Sequence, residues 1–386
     1  MMGRFRDALA EPGLAAVAEV KRRSPSAGEL RPDADPAGLA VAYERAGAAV
    51  VSILVDERFG GAWDDLRAAR AASSVPLLAK GFFSTAEHLR TARDAGAVAA
   101  LLLLRDLDDE TARRLVGVAN DLELDVLVEA HDGEELRRAL ELDAAVIGIN
   151  ARDLATFRID RRMQLDLVSR APRERIVVAE SGIESRAQAA AAELAGADAI
   201  LVGSALMRAR DPASKLADLI ARPLVKVCGL TRDEDVAAAA EAGADMAGFV
   251  LAEGSPRRAP RVLPVPETML SVAVVVGEPG DHGADLVQLY PVEPGKVRGR
   301  DAVLLREGRQ VAQVVDLPWG EVDSTHLDRA RATEGRVMLA GGLGPENVRE
   351  AIAAVRPWAV DASSHLEREP GVKDHDRVRA YVEAAR

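Results

Sequence analysis

The stretch AGAVAALLLL, residues 95–104, places Ala-Gly-Ala directly before a continuous run of apolar residues. Glycine here is typical of a helix C-terminus, where it tolerates the left-handed conformation, and the run that follows is typical of a short buried strand. The same pattern returns at residues 46–48, 195–197 and 242–244. Because strands that are apolar on both faces belong to parallel sheets covered by helices, this repeat predicts α/β units.

The strands predicted in this way form two sets of eight. The first set is AAVAEV, AVVSILV, VPLLAK, AVAALLLL, LDVLVE, AAVIGIN, IVVAES and DAILVG, and the second is LVKVC, DMAGFV, SVAVVV, DLVQLY, AVLL, VAQVVD, RVMLAG and WAVDAS. Two sets of eight strands with intervening helices predict two tandem (βα)8 TIM barrels, residues 1–222 and residues 223–386. The boundary is placed where Pro223 follows the helical stretch DPASKLADLIA.

The second barrel is short. It has about 165 residues, against roughly 250 in a typical barrel of this kind. Little room is left for helices between residues 290 and 311, so we expect one or two outer helices to be shortened or missing. The alternative fold is an open doubly wound sheet, but no G-x-G-x-x-G turn follows any early strand.

Composition excludes several classes of protein. A single cysteine, Cys228, rules out an internal disulfide and any multi-cysteine zinc site. A net charge of −12 with 3% aromatic residues argues against nucleic-acid binding. The N-terminus lacks the apolar core of a signal peptide, and no run of 18 apolar residues is present. We therefore expect a cytoplasmic protein that does not bind a membrane. We also expect a monomer.

Charged residues close the apolar strands of the first half, where a barrel of this kind builds its active site. Two lysines and three carboxylates recur at these positions: Glu19, Lys21, Lys80, Glu129 and Glu180. Burying such charges is costly unless they pair with one another or take part in a reaction. The set therefore indicates a catalytic site, and the alternative is a ring of ion pairs that has only a structural role. Small residues after strands seven and eight, Ser181-Gly182 and Gly203-Ser204, predict a cradle for phosphate.

Five stretches of the first half form a recognisable set: AEVKRRSPSAG, LVEAHDGEEL, IGINARDLATFRID, VVAESGI and LVGSALMRARDP. Over roughly residues 8–215 they closely resemble indole-3-glycerol-phosphate synthase. The resemblance implies the decarboxylating, dehydrating ring closure of 1-(2-carboxyphenylamino)-1-deoxyribulose 5-phosphate. It implies that Lys80 is the general acid that protonates the ketone oxygen, with assistance from Lys21, which Glu19 holds in place. It also makes Glu129 the acid/base of the dehydration.

The same resemblance implies the substrate contacts. Residues expected to bind the ring, its carboxylate and the sugar are Phe82, Asn150, Arg152, Glu180 and Ser181, and those expected to bind phosphate are Ser24, Gly182, Gly203 and Ser204. A lysine among other cations and apolar walls can have a lowered pKa, which we expect for Lys80. The sequence departs from the family's Lys-Asp-Phe at Gly81, which leaves the orientation and pKa of Lys80 open, and from its Asn-Asn-Arg at Ala151.

The second half contains KVCGLTRDEDV (226–236), AAAEAGADMAGFV, Ser255-Pro256-Arg257, VQLY, LAGGLGPENV, VDASS and PGVKD. These stretches resemble phosphoribosylanthranilate isomerase. The resemblance implies an Amadori rearrangement with Cys228 as general base and an aspartate at strand six as general acid. Asp316 and Asp323 are the candidates, and Asp316 is preferred because it ends VAQVVD. Implied substrate contacts are Arg257 for the carboxylate, Gln288, and a phosphate cradle of Gly341, Gly342, Ser363 and Ser364.

A thiolate base needs positive charge nearby, and Lys226, Arg257 and Arg232 are the candidate sources of a lowered pKa at Cys228. Tyr290 replaces the family's histidine, and His365 replaces a glycine in the phosphate turn. The sequence leaves open whether this half also accepts a histidine-pathway substrate.

Together the two halves predict a bifunctional enzyme of tryptophan biosynthesis that acts on small phosphorylated anthranilate sugars. Neither reaction needs a metal or another cofactor, so none is expected. Three alternatives remain: a synthase with a catalytically silent second barrel, a phosphometabolite-binding protein without activity, and a flavin-dependent barrel. Kinetics of both half-reactions separates the first two, and a colourless protein argues against the third.

Overall fold

The computed structural model describes residues 4–25, 28–153, 156–296, 298–318 and 321–386. The chain divides into two compact units. The first comprises residues 1–184 and 189–220, and the second comprises residues 185–188 and 221–386.

The elements up to residue 220 build a closed barrel. They are α1 (Arg4–Leu9), β1 (Ala15–Val20), β2 (Arg23–Ser24), β3 (Gly28–Glu29), α2 (Pro36–Arg45), β4 (Val50–Leu54), α3 (Trp63–Ala72), β5 (Leu77–Lys80), α4 (Ala86–Asp94), β6 (Ala99–Leu103), α5 (Asp109–Asp121), β7 (Asp125–Ala130), α6 (Gly133–Glu141), β8 (Val146–Asn150), α7 (Arg161–Arg170), β9 (Ile176–Glu180), α8 (Arg186–Ala195), β10 (Ala199–Val202), α9 (Ser204–Arg208) and α10 (Pro212–Ile220). The strands β1 and β4 to β10 close in the order β1-β10-β9-β8-β7-β6-β5-β4. All eight pairings are parallel, which confirms the predicted first barrel.

The predicted glycine caps are present. The glycines of the four Ala-Gly-Ala repeats all have positive φ: 94° at Gly47, 102° at Gly96, 118° at Gly196 and 88° at Gly243. Only glycine adopts this conformation without strain, so each repeat ends a helix and turns the chain into the next strand.

Helix α1 closes the N-terminal end of the first barrel. Phe5 and Leu9 are both 0% exposed and belong to the apolar cluster of inward-facing residues from the strands. The carboxylate of Asp125, at the start of β7, accepts hydrogen bonds from the backbone N–H groups of Phe5 and Arg6 at 3.2 and 3.4 Å. A carboxylate at a helix N-terminus satisfies donors that have no partner within the helix.

Phe5→Ala is expected to lower the free energy of unfolding by about 3–5 kcal/mol, because a fully buried aromatic side chain is lost and a cavity remains. Chemical denaturation of the first barrel's transition measures the change. Steady-state turnover at 25 °C should stay near the wild-type value because Phe5 lies at the end of the barrel opposite the charged strand ends. A free energy of unfolding within 1 kcal/mol of wild type would contradict the assigned role.

The second unit is also a closed barrel. Its elements are β11 (Leu224–Cys228), α11 (Asp233–Ala242), β12 (Met246–Val250), β13 (Leu270–Val276), β14 (Leu286–Tyr290), β15 (Ala302–Arg306), β16 (Arg309–Val315), α12 (His326–Ala332), β17 (Val337–Leu339), α13 (Val348–Val355), β18 (Ala359–Ala362), β19 (Glu367–Glu369), β20 (Val372–Lys373) and α14 (His375–Ala385). The strands β11 to β18 pair in sequence order and close on each other. All eight predicted strands are therefore present, and the tandem-barrel prediction is confirmed.

The reduction of this barrel exceeds the one or two helices expected. Within the described residues, no α-helix lies between any two consecutive strands from β12 to β16. Strand β15 also runs antiparallel to both β14 and β16, which a (βα)8 barrel would not show. The reversal between β15 and β16 follows from the two-residue turn at Glu307 and Gly308, whose φ angles are 49° and 75°. Two central residues with positive φ make a tight hairpin, and a hairpin reverses the chain where a helical crossover would preserve its direction.

Within the described residues, no helix has the combination of length and apolar character needed to cross a membrane.

Candidate active site

A cavity of about 520 Å³ opens at the C-terminal end of the first barrel. This volume lies within the range typical of small-molecule sites. Twelve of the residues predicted from the sequence line it, namely Glu19, Lys21, Ser24, Lys80, Phe82, Glu129, Asn150, Arg152, Ser181, Gly182, Gly203 and Ser204. The charged strand ends therefore meet in one cavity.

Lys80 lies at the centre of three carboxylates. Its Nζ is 2.5 Å from Glu180 Oε2 and 3.5 Å from an oxygen of each of Glu19 and Glu129. Glu19 also accepts a hydrogen bond from Lys21 Nζ at 2.6 Å. Glu180 is 0% exposed and lies behind Lys80, away from the cavity lining, so its direct partner is the lysine.

The expected lowered pKa of Lys80 is wrong. Burial acts to lower it, but the charges of Glu180, Glu129 and Glu19 outweigh burial and raise the pKa well above its usual range. Burial and the charge of Glu129 raise the pKa of Glu180 to about 8. Three carboxylates share one central lysine, so the site keeps Lys80 charged and leaves Glu180 as the carboxyl that holds a proton most readily.

Glu129 is held from both sides. Asn150 Nδ2 donates to its Oε1 at 2.8 Å, and His131 Nε2 lies 3.2 Å from the same oxygen. Burial disfavours the ionised form, yet Lys80, His131 and Asn150 together hold the pKa of Glu129 far below its usual range. His131 was not among the residues predicted from the sequence. Its position in the sequence could have revealed it. His131 follows Glu129 by two residues, and side chains two residues apart along a strand point to the same face.

Two glycines make room for these charges. A Cβ at Gly148 would contact Glu180 Oε1, and a Cβ at Gly203 would contact Glu19 Oε1 and Lys21 Nζ. Gly203 was predicted as a phosphate binder, and the structure gives it this steric role as well.

Gly81→Asp, which would restore the family's Lys-Asp-Phe, is expected to lower turnover of the first barrel by about tenfold. A Cβ at position 81 would lie 2.8 Å from Phe83 Cε1 and 3.4 Å from Val55 Cγ2, so the Phe83 ring must move. A displacement of about 1 Å next to a catalytic group can cost this much or more. The orientation of Lys80 does not need the aspartate, because its carboxylate neighbours already fix it. Steady-state kcat measures the effect, and an increase in kcat would overturn the explanation.

Arg58, Phe82, Arg152, Ser181 and Gly182 line the outer part of the cavity in the first barrel. Arg58 stacks over the Phe82 ring, with its guanidinium carbon 3.5 Å from the ring centroid. The Arg152 backbone N–H donates to Asn150 Oδ1 at 2.9 Å, and its guanidinium donates to Phe157 O at 3.2 Å. Ser181 and Gly182 both have positive φ, 67° and 71°, which exposes consecutive backbone groups at the cavity rim.

In the second barrel, Cys228 ends β11 and is buried, with 7% of its surface exposed. A Cβ at Gly248 would lie 2.7 Å from Cys228 Sγ and 2.9 Å from Lys226 Cε, so the thiol and the lysine meet over this glycine. Lys226 Nζ is 2.7 Å from Asp361 Oδ2 and donates to Gln288 Oε1 at 2.9 Å. Gln288 is therefore bound to the lysine beside the thiol.

The expected lowered pKa of Cys228 is also wrong. Burial raises it, and the charge of Asp361 adds to this, while Lys226 and Lys373 oppose the shift only in part. Of the two arginines proposed as sources of charge, Arg232 pairs with Asp235 at 2.7 Å and Arg257 pairs with Glu367 at 2.9 Å. The thiol is thus protonated more firmly than an ordinary cysteine.

A second ion pair lies beside the thiol. Glu367 binds Arg257 and also accepts from Lys373 Nζ at 2.8 Å. Lys373 donates to Ser363 O at 3.1 Å. A Cβ at Gly229 would lie 2.7 Å from Ser363 Oγ, 3.2 Å from Arg257 Cδ and 3.4 Å from Lys373 Nζ, so these groups meet next to Cys228. Lys373 and Glu367 were not predicted, although Lys373 lies in the quoted PGVKD.

Asp316 and Asp323, the two candidates for the general acid, have different surroundings. Asp316 faces the interior of the barrel, and Asp323 makes none of the same contacts. Asp316 Oδ2 accepts from the Tyr290 hydroxyl at 2.6 Å and lies 2.7 Å from Arg298 Nη2. Gln288 Nε2 donates to the same hydroxyl at 2.7 Å. Burial raises the pKa of Asp316 despite the charge of Arg298. Asp323 pairs with Arg300 and Arg329.

The predicted second phosphate cradle follows β17 and β18. Gly341 and Gly342 have φ of 89° and 69°, and Ser363 Oγ is buried with no hydrogen-bond partner among the residues that the structure describes. Ser364 begins a short 3-10 turn, and the adjacent His365 side chain is exposed and lies against Gly344.

Within the described residues, no group of three or more His, Cys, Asp or Glu side chains is arranged to hold a metal ion.

Comparison with known proteins finds a family-model match in each half. A family model described as indole-3-glycerol phosphate synthase matches residues 2–219. The chain is 45% identical over 214 residues to the indole-3-glycerol phosphate synthase of Mycolicibacterium smegmatis, covering 55% of this chain and 79% of the relative. It is also 45% identical over 215 residues to that of Streptomyces griseus, covering 55% and 80%. The chain belongs to the indole-3-glycerol phosphate synthase family.

Beyond the synthase part, a second family model matches residues 304–384, and its description is N-(5'phosphoribosyl)anthranilate isomerase. The phosphoribosyl anthranilate isomerase structure from Thermotoga maritima shows 28% identity and a TM-score of 0.35, covering 42% of this chain and 98% of that one. The family-model match includes Asp316, Gly341 and Ser363 but not Cys228. An indole-3-glycerol phosphate synthase domain and an isomerase domain are both present, which supports a bifunctional enzyme of tryptophan biosynthesis, a lyase and an isomerase in one chain. A synthase with a silent second barrel is not favoured.

Proposed function

We propose that the first barrel, residues 1–222, closes the indole ring of 1-(2-carboxyphenylamino)-1-deoxyribulose 5-phosphate. The observation that carries the proposal is the placement of Lys80 at the base of a cavity with Glu129 3.5 Å away. The ring carbon that bears the carboxylate attacks the ketone carbon, and the ketone oxygen takes a proton from Lys80. Carbon dioxide then leaves the ring carbon, and water leaves in the dehydration.

A raised pKa suits this role for Lys80. The ammonium stays charged across neutral pH, because the ionised Glu19 and Glu129 stabilise it and Glu180 accepts its hydrogen bond. A ketone oxygen is a weak base, but it becomes a strong base as the carbon–carbon bond forms and negative charge develops on it. A fixed cation aimed at that oxygen stabilises the transition state more than the ground state and can release its proton at that moment.

The dehydration needs a group that exchanges a proton with the substrate, and Glu129 is the proposed group. It lines the cavity, and its Oε1 accepts a hydrogen bond from Asn150 and lies 3.2 Å from His131 Nε2. Glu19 holds Lys21 in the cavity wall, where the second ammonium can assist at the leaving hydroxyl. Glu180 orients Lys80 from behind.

The anionic parts of the substrate meet the polar rim. Backbone N–H groups at Ser181-Gly182 and Gly203-Ser204, with the Ser24 hydroxyl, form the proposed phosphate cradle. Arg152 and the Arg58–Phe82 stack are the proposed partners of the carboxylate and the aromatic ring.

The second barrel, residues 223–386, is proposed to catalyse the preceding Amadori isomerisation of phosphoribosylanthranilate. Asp316 protonates the furanose oxygen and opens the ring, and Cys228 removes the proton from C2 of the resulting imine. Burial raises the pKa of Asp316, which favours the protonated form that an acid needs. Arg257 would exchange Glu367 for the substrate carboxylate, and Gly341, Gly342, Ser363 and Ser364 would hold the phosphate. A monomer is proposed as the working unit.

Steady-state kinetics of both half-reactions on the intact chain tests the proposal. Ring closure is followed by formation of indole glycerol phosphate, and isomerisation is followed by loss of phosphoribosylanthranilate, with the second barrel's product supplied separately to the first. We expect turnover in both assays. Ring closure without isomerisation would reject the proposal for the second barrel, and ligand binding without turnover in either assay would reject both.

A further inference from the structure

His131 lies between two carboxylates at the end of β7. Its Nε2 is 3.2 Å from Glu129 Oε1, and its Nδ1 is 3.0 Å from Glu135 Oε2. The His131 backbone N–H also donates to Glu135 Oε2 at 2.8 Å. The side chains of His131 and Glu135 are only 9% and 13% exposed. Glu135, in the first turn of α6, therefore fixes both the backbone and the ring of His131 and directs Nε2 at Glu129.

The charge balance around Glu129 shows why this ring matters. Besides His131, the cation that contacts Glu129 is Lys80, at 3.5 Å. In the proposed ring closure Lys80 gives its proton to the substrate and becomes neutral. Glu129 would then keep only the neutral amide of Asn150, at 2.8 Å, unless a second cation remains. A buried carboxylate that loses its cation takes up a proton or is strongly destabilised.

We propose that His131, charged and locked between Glu129 and Glu135, is a positioning residue that keeps Glu129 ionised and oriented while Lys80 gives up its proton. The proposal rests on the ring-closing function proposed above. It adds a group that touches neither the substrate nor the reacting atoms and that acts through Glu129.

The electrostatics agree with this geometry. Burial acts to lower the pKa of His131, but the close contact with Glu129 at 3.2 Å, the hydrogen bond to Glu135 and the charges of both carboxylates raise it to about 9. The imidazole is therefore charged at neutral pH. The charged groups that face it are Glu129 from its own strand and Glu135 from α6, and Lys80 of β5 lies beyond Glu129.

His131 also makes Lys80 a better acid. Each cation that neutralises Glu129 reduces the field that holds the proton on Lys80. Loss of the His131 charge should therefore both raise the pKa of Glu129 and strengthen the hold on the Lys80 proton. A neutral hydrogen-bond donor at position 131 would restore the orientation of Glu129 but neither electrostatic effect.

Three variants of the intact chain test the proposal: His131→Gln, Glu135→Gln and the control Glu134→Gln. Glu134 is the neighbour of Glu135 in α6, is largely exposed and pairs with Arg137. We expect kcat of ring closure to fall about 10–100-fold in His131→Gln, as for loss of an electrostatic aid to proton transfer. The acidic limb of its kcat–pH profile should move up by about one pH unit or more. Glu135→Gln should show a smaller change of the same kind, and Glu134→Gln should match the wild type.

A titration independent of turnover completes the test. The His131 imidazole, followed by NMR in the wild type, should titrate near the raised value of about 9, and Glu135→Gln should move the midpoint down. If His131→Gln lowers kcat but the acidic limb of the kcat–pH profile stays where it is in the wild type, His131 has only a structural role and the proposal is overturned. A titration midpoint at or below the ordinary value would also overturn it. If the wild type has no ring-closing turnover, the proposed function fails, and the titration still reports on His131.

Discussion

Lys80→Met is expected to lower kcat of ring closure by about 10²–10⁴-fold, the usual worth of a positioned general acid. Methionine keeps most of the side-chain length and volume but removes both the proton and the charge at the centre of Glu19, Glu129 and Glu180. Formation of indole glycerol phosphate from the supplied substrate measures the loss. A kcat within threefold of the wild type would remove Lys80 from the reaction.

The same variant carries a stability signature that separates it from a misfolded protein. Removing one partner from a buried ion pair costs roughly 3–5 kcal/mol because the other charge stays buried without compensation. Without Lys80 the remaining carboxyls have raised pKa values, so they take up protons in the folded state as pH falls. The loss in the free energy of unfolding should therefore be largest near pH 8 and shrink towards pH 5. Isomerase turnover serves as the control and should be unchanged.

The barrel fold was predictable because its signals are local. Each Ala-Gly-Ala repeat joins a glycine cap to an apolar run, and every predicted strand is present. The convergence of charged residues was predictable for a related reason: parallel strands bring all their C-terminal ends to one rim, so position along a strand is enough to place Glu19, Lys80 and Glu129 together.

The reversed strand β15 was missed although its signal is in the sequence. Residues 306–310, which include Gly308, separate the apolar runs AVLL and VAQVVD, and a short connection that contains glycine is typical of a hairpin. The expectation of helical crossovers concealed it, because eight strands in a row suggested eight parallel strands. Topology in this region follows from the turn and not from the strand count.

The pKa shifts were mispredicted because they depend on distances that the sequence does not contain. Counting cations near Lys80 and Cys228 suggested lowered values. In the structure, carboxylates are the nearest charged neighbours of Lys80, and Arg232 and Arg257 are already paired with Asp235 and Glu367. The sequence tells which charged residues lie at the end of the barrel. Whether a pKa is raised or lowered depends on which of these residues are in contact.

Cys228→Ala is expected to abolish isomerisation, lowering kcat by about 10³-fold or more while leaving ring closure at the wild-type value, because it removes the only proposed base in the second barrel. Asp316→Asn should have a comparable effect. Asp323→Asn should leave the rate near the wild type, because Asp323 pairs with Arg300 and Arg329 instead of sharing the interior contacts of Asp316. Loss of phosphoribosylanthranilate measures all three, and loss of activity in Asp323→Asn alone would transfer the acid role to Asp323.

The pH dependence of the wild type provides a further check on Cys228. Burial raises the pKa of its thiol, and Lys226 and Lys373 counter this only in part. Since the thiolate is the base, its fraction in the free enzyme should increase about tenfold per pH unit through neutrality. An ordinary thiol is still largely protonated between about pH 6 and 8, and a thiol with a raised pKa is more so. We therefore expect kcat/KM of isomerisation to rise steadily over this range. Lys226→Met removes the cation beside the thiol and should move this rise to higher pH. A profile that is already flat from pH 6 would mean that the thiolate forms at much lower pH than the buried contacts of Cys228 allow, or that another group removes the proton.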